Sequence, residues 1–130
     1  DNAAGSAAMR HARSLVVTAS IDRLDFHNPV HVGDLLTVRA CVNYVGRTSM
    51  EVGVRVEAEN ILEGRRRHTA SAYLTFVALG PDGRPLVLPP LILETDDERR
   101  RNVEARARRE TRLAEKTKEK ACQNENRCSV

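Results

Sequence analysis

The 130-residue sequence contains no tryptophan, and only 3% of its residues are aromatic. Any core must therefore be filled by Val, Leu, Ile and Ala. No apolar run approaches the ~18–20 residues of a membrane span, so a transmembrane helix is excluded from the sequence reading. No basic-then-apolar stretch opens the chain, and no secretory signal is legible. Three cysteines cannot form a closed set of pairs, and no CxxC or His/Cys cluster has the spacing of a zinc site. Without a disulfide framework, a reducing compartment and a cytoplasmic location are expected. A P-loop, a GxGxxG turn and an ordered Ser-His-Asp set are also missing.

Charge is plentiful but nearly balanced, with 21 basic and 18 acidic side chains, a net charge of +3 and 41% hydrophobic residues. Residues 1–93 carry 10 basic and 9 acidic groups, and residues 94–130 carry 11 and 9. A compact body is thus followed by a charge-dense tail of mixed sign. That balance, with so few aromatics, argues against nucleic acid as a partner despite an isoelectric point near 9.0.

Small residues from Asp1 to His11 predict a helix whose backbone can lie close against a flat surface. Leu15–Ile21 is short and β-branched, and turn chemistry follows at Asn28-Pro29 and Gly33-Asp34. From Leu36 the chain alternates. Leu36, Val38, Ala40, Val42 and Tyr44 fall on one face, with Thr37, Arg39 and Asn43 opposite. After Gly46-Arg47-Thr48, the residues Met50, Val52, Val54, Val56 and Ala58 oppose Glu51, Arg55, Glu57 and Glu59. A third run, His68–Leu79, ends at Pro81-Asp82-Gly83. These are antiparallel strands with one apolar and one wetter face.

Thr95-Asp96-Asp97-Glu98 matches a capping box that opens a charged helix. The expected organisation is a body over residues 1–93, a helix over 94–116 and a disordered tail over 117–130 that holds Cys122 and Cys128. Length bears on assembly. An 11-residue helix spans roughly 17 Å at 1.5 Å per residue, whereas ten-residue strands run about 33 Å. Val52, Val54 and Val56 should outrun the helix, so a second copy of the chain is expected to cover them.

A small-residue helix followed by long antiparallel strands resembles the hotdog fold, an α+β architecture in which the sheet wraps a central helix. The sequence is similar to the acyl-CoA thioesterases of that fold, in particular the cytosolic acyl-CoA hydrolase group. The resemblance is carried by Asp1-Asn2-Ala3-Ala4-Gly5 with Arg10-His11, by Val16–Asp22 and Asp25-Phe26, and by Pro29 with Val32-Gly33-Asp34. Thr48-Ser49-Met50-Glu51-Val52, Ala70-Ser71-Ala72 and Thr75-Phe76-Val77 continue it to about residue 112. In that group a first strand, a His-Gly-Gly segment and, at some sites, an Asn precede the helix. They are absent here, so a hotdog domain lacking its N-terminal strand is expected.

The resemblance implies hydrolysis of acyl-CoA to free fatty acid and CoA, with Asp1 as the acidic group that activates or orients water. Such a reaction needs a base and donors for the carbonyl oxygen as it gains charge. As a bare sequence feature Asp1 also suits a helix start, where an acid is worth about 0.3–1 kcal/mol. The resemblance further points to Ala19, Ser20, Ile21, Thr48, Ser49 and Met50 as CoA contacts, which otherwise read as strand and turn residues. It places Arg109 at the nucleotide end of CoA, although six neighbouring arginines read equally as a solvated helix face. No cofactor and no metal are expected, CoA being part of the substrate. A homodimer, extended to a trimer of dimers, is implied. A non-catalytic CoA-binding or scaffold module is the alternative. Arg65-Arg66-Arg67 reads as a solubilising hairpin tip. His27 and His31 read as loop histidines, because Pro29 between them breaks helical zinc-ligand spacing. Cys41, within a strand, reads as a small core or sheet residue.

Overall fold

The computed structural model describes residues 1–124. Two compact units are present, one over Asp1–Ile92 and one beginning at Leu93. In the first, helix α1 (Asn2–Ala12) precedes β1 (Leu15–Phe26), β2 (Leu35–Val45), β3 (Ser49–Asn60) and β4 (Arg65–Leu79). The strands form one antiparallel sheet in the order β1-β4-β3-β2.

Ala4, Ala8 and Ala12 recur every four residues, so they share one helical stripe, and all three are buried. Side chains this small let the α1 backbone settle onto Met50, Val52, Leu74, Phe76 and Ala78 of the sheet. A Cβ built on Gly5 would lie 3.8 Å from Phe76 Cε1, an ordinary contact. The helix stops at Arg13, which is left-handed (φ 52°) and donates its N–H to Met9 O at 2.8 Å. Beyond β4 the chain turns back. Leu86 N–H bonds Ala78 O, Leu88 N–H bonds Arg47 O, and Leu88 joins the core.

β1 and β4 extend several residues beyond the expected runs, β2 and β3 one residue at each end, and the sheet differs from simple alternation at defined points. The register shifts between Thr18 and Ser20, between Ile21 and Arg23, between Val42 and Tyr44, and opposite Val56/Glu57. Each shift is a bulge, which inserts one residue and turns the next side chain to the other face. Tyr44 was expected beside Val42. The bulge at Asn43 instead pairs Tyr44 with Glu51 on the opposite face. Cys41, on the edge strand, is exposed rather than packed, with its thiol donating to Asn43 Oδ1 at 3.2 Å. Val52 is wholly covered by its own chain, whereas Val54 and Val56 are only partly buried.

The second unit is dominated by α2 (Asp96–Asn124). The capping box forms as expected. Glu98 N–H donates to Thr95 Oγ1 at 3.2 Å, and Glu98 Oε2 accepts from Thr95 N–H at 3.1 Å and Glu94 N–H at 2.7 Å. Those backbone donors hold the Glu98 carboxyl below the ordinary glutamate range. The helix continues through residues 117–124, where disorder was expected. This stretch contains no Gly or Pro and is rich in Lys, Glu and Ala, all good helix formers. Cys128 lies outside the described residues.

Candidate active site

Asp1 stands at the N-cap of α1, yet its side chain makes no capping hydrogen bond. An N-cap aspartate ordinarily accepts from the second or third N–H of its own helix. Here Oδ1 accepts instead from Thr18 Oγ1, 2.9 Å away on β1. The first bond within the helix is Gly5 N–H to Asp1 O at 2.8 Å. The N–H groups of Asn2, Ala3 and Ala4 therefore have no acceptor inside α1. An exposed carboxylate held by a hydroxyl thus sits at the positive end of a helix dipole, where the first N–H groups have no partner within the helix. Such a pairing can accept a proton from water and stabilise a developing oxyanion.

Thr18 was not among the residues singled out from the sequence. The bulge at Ala19 separates it from Ser20. Thr18 pairs with Phe76, whose side chain faces α1, while Ser20 pairs with Thr75 on the other face. Unbroken alternation would put both hydroxyls on one side, so periodicity alone cannot choose between them.

The expected CoA contacts fall on both sides of β4. Thr18, Phe76 and Met50 occupy one row across β1, β4 and β3, so the two segments lie two strand spacings apart, roughly 10 Å. Ala19 is the unpaired bulge residue, Ser20 Oγ donates to Asp22 Oδ1 at 2.7 Å, and Ile21 is 58% exposed on the α1 face. Thr48 O accepts from Ala78 N–H and Ser49 O from Gly46 N–H. Met50 is buried in the core, so only its backbone can meet a ligand. Arg109 lies on α2 in the second unit and is half-buried.

The remaining candidates have structural partners. Arg66 pairs with Glu59 and Arg67 with Asp34, while Arg65 ends the hairpin as an exposed residue. His27 packs on His68, ring centroids 4.6 Å apart, and His31 N–H donates to Asp34 Oδ2. On the face away from α1, Arg55 Nε donates to Glu57 Oε1 at 3.0 Å and holds that carboxyl below its usual range.

A family model described as the thioesterase superfamily matches residues 1–64. A crystal structure of an apo-hexameric acyl-CoA thioesterase superposes with a TM-score of 0.83 at 45% identity, covering 86% of this chain and 72% of that one. The chain belongs to the thioesterase superfamily. Another member, an acyl-CoA hydrolase of Staphylococcus aureus solved in complex with butyryl-CoA, CoA and CoA disulfide, is 38% identical with a TM-score of 0.84. That match covers 93% of this chain and 74% of the other. The same enzyme has been solved with an Asp and with a Thr replaced by Ala. The cytosolic acyl coenzyme A thioester hydrolase of Rattus norvegicus is 36% identical over 110 residues, which cover 83% of this chain and 29% of the relative. The chain thus spans less than a third of that relative's length. The α+β hotdog architecture expected from the sequence is the one these superfamily structures share.

Proposed function

We propose that the chain hydrolyses acyl-CoA thioesters to free fatty acid and CoA. The observation that carries this reading is the Asp1 carboxylate, withheld from capping its own helix and held by Thr18 beside the open N–H groups of α1. Thr18 occupies one carboxylate oxygen and leaves the other to orient a water molecule and take its proton. The resulting hydroxide attacks the thioester carbonyl carbon, and the carbonyl oxygen gains charge towards the helix N–H donors. The C–S bond then breaks, the acyl group leaves as the acid, and the CoA sulfur takes up the proton. CoA is part of the substrate, and the reaction uses no cofactor.

CoA contacts are assigned in the same proposal to Ala19, Ser20, Ile21, Thr48, Ser49 and Met50, with Arg109 at the phosphate end. The break in the β1 register at Ala19, on an edge strand, supports this, because it interrupts the regular ladder where the pantetheine would approach. A homodimer formed along β1, assembled further as a trimer of dimers, is also proposed. β1 is an edge strand whose Leu15, Ile21 and Phe26 are 72%, 58% and 77% exposed, and pairing would protect them. The hexameric relative and the cytosolic relative support the assembly and a cytoplasmic site of action. No described helix is long and apolar enough to cross a membrane.

The test is thiol release from acyl-CoA by the chain and by its Asp1→Asn variant, with CoA binding followed in parallel by calorimetry. A loss of about 10²–10⁴ in kcat is expected, the scale of a positioned general base. Equal rates would remove Asp1 from the mechanism. Binding of CoA with no turnover by the parent chain would make it a binding module instead.

A further inference from the structure

β1 carries two breaks in register close together, one between Thr18 and Ser20 and one between Ile21 and Arg23. The extra residues are Ala19 and Asp22, so the breaks enclose the stretch assigned above to CoA contact. Between them only Ser20 and Ile21 keep regular pairing, opposite Thr75 and Leu74. β1 is also an edge strand, with β4 as its one neighbour in the sheet. Each bulge disrupts the ladder locally and bends the strand that carries it. Something besides the ladder must hold this stretch if it is to present one shape to a ligand.

The Asp22 carboxylate supplies that support on the face of the sheet away from α1. Its Oδ1 accepts from Ser20 Oγ at 2.7 Å, and its Oδ2 accepts from Thr75 Oγ1 at 3.0 Å. Hydrogen bonds to an ionised acceptor are the stronger kind. Ser20 lies inside the bulged stretch, whereas Thr75 is on β4, an interior strand paired on both sides. One side chain, itself the extra residue of the second break, thus ties the stretch to the middle of the sheet. Thr75 is 7% exposed, and a hydroxyl buried to that degree needs a partner. Its register partners are Ser20 on one side and Glu51 on the other. Glu51 directly follows Thr48-Ser49-Met50, the second segment assigned to CoA. Thr75 therefore stands between the two segments, and its bond to Asp22 fixes the first relative to the second.

We propose that Asp22 is a positioning residue for CoA: its carboxylate holds the bulged stretch 19–21 in the shape that meets the pantetheine, at a set distance from residues 48–50. It acts through Ser20 and Thr75 and touches neither the substrate nor the reacting atoms. The Asp1–Thr18 pair lies on the opposite face, so losing the Asp22 carboxylate should weaken binding and spare the chemical step. The assignment rests on the thioesterase reading above and deepens it by naming what holds half of its CoA site in place.

Calorimetry of CoA binding and steady-state thiol release test it in the full chain. Two substrates are compared, an acyl-CoA and the same acyl group on N-acetylcysteamine, a thiol without the nucleotide and most of the pantetheine. Asp22→Ala should weaken CoA binding and raise KM for acyl-CoA about 10-fold. Its kcat should stay within about a factor of three of the parent, the pattern of lost uniform binding. For the truncated thioester, kcat/KM should remain at the parent value. Asp22→Asn should recover most of the CoA affinity, because its amide oxygen can accept from Thr75 while its NH2 donates to Ser20 Oγ. If Asp22→Ala does not fold, Thr75→Val carries the test. It keeps the β-branch at a buried position, breaks one of the two bonds, and should raise KM about 3-fold with the same split. An unchanged dissociation constant for CoA in folded Asp22→Ala overturns the proposal. So does an equal loss on both thioesters, which would mark a general loosening of the site. A change in mass by light scattering also overturns it, since Asp22 would then serve contacts between copies. Should the parent chain release no thiol yet bind CoA with the expected dependence on Asp22, the hydrolase reading falls and the positioning role stands. If the parent chain neither hydrolyses nor binds CoA, both fall.

Discussion

Replacing Thr18 by valine removes a single hydrogen bond and almost nothing else. Valine keeps the β-branch and the strand preference of threonine, so β1 and its bulge should be preserved. Thr18 is exposed, and substitutions at such positions usually move stability by less than about 0.5 kcal/mol. The lost contact is a 2.9 Å bond from a hydroxyl to a carboxylate, of a class worth about 1.5–3 kcal/mol. Because water reaches this site and can replace the hydroxyl as a donor, the lower part of that range applies. At about 1.36 kcal/mol per factor of ten, kcat should fall roughly 10–30-fold. The hydroxyl orients the carboxylate rather than the substrate, so KM should move by less than a factor of three. Thr18→Ser, which retains the donor, should recover most of the rate. Steady-state thiol release with kcat and KM resolved, beside a thermal melt of each variant, provides the measurement. If Thr18→Val turns over like the parent while melting at the same temperature, the hydroxyl does not position the base and the mechanism built on it fails.

Three structural predictions accompany this. A Cβ on Gly53 would lie 2.5 Å from Asn43 Nδ2, itself buried and bonded to Glu51 Oε1 at 3.3 Å. Gly53→Ala should therefore destabilise by about 1–3 kcal/mol, and an unchanged denaturant midpoint would contradict the close approach. Gly5→Ala has the opposite sign. The added methyl meets Phe76 at an ordinary 3.8 Å, so the helix preference should emerge as a gain of about 0.4–1 kcal/mol, and a lower melting temperature would refute that packing. At the start of α2, bonds from the Thr95 and Glu94 amides lower the Glu98 pKa. The capping contribution is therefore full above the ordinary value of 4.5 and is lost as pH falls through the lowered one. Glu98→Gln keeps the acceptor without the titration, so the amide shifts of residues 94 and 95 should move with acid in the parent and stay flat in the variant.

The strands were legible because alternation is a direct image of the pleat. Met50, Val52, Leu74 and Phe76 face α1 just as their spacing requires. The capping box was legible for a similar reason, since Thr95 and Glu98 interact through local geometry alone. The bulges were not. Nothing in the run Val17-Thr18-Ala19-Ser20 marks Ala19 as an extra residue, because a bulge is decided by which partner register best buries Phe76 and Leu74 on β4. Parity beyond a bulge inherits that choice, which is why Tyr44, beyond the bulge at Asn43, lies on the face opposite to the one its spacing gives. The far end of α2 shows a different limit. Its mixed charge reads as poor in core-forming residues, yet backbone preference and near neighbours sustain helix to Asn124.

The relation between Asp1 and its helix explains why the site lies where it does. A side-chain cap is worth about 1 kcal/mol, and Asp1 is placed to supply one, yet it turns to Thr18 instead. Local preference and tertiary arrangement disagree at this one end of α1, while the other end closes conventionally through the left-handed Arg13. Such disagreements collect where a group is wanted for something besides stability. Two consequences follow from the single choice. The carboxylate keeps an oxygen that no helix amide occupies, and the amides it would have capped have no acceptor within the helix. In the proposed mechanism a base and its complementary donors thus arise together from one unmade bond, which the Thr18 hydroxyl on the α1 face replaces.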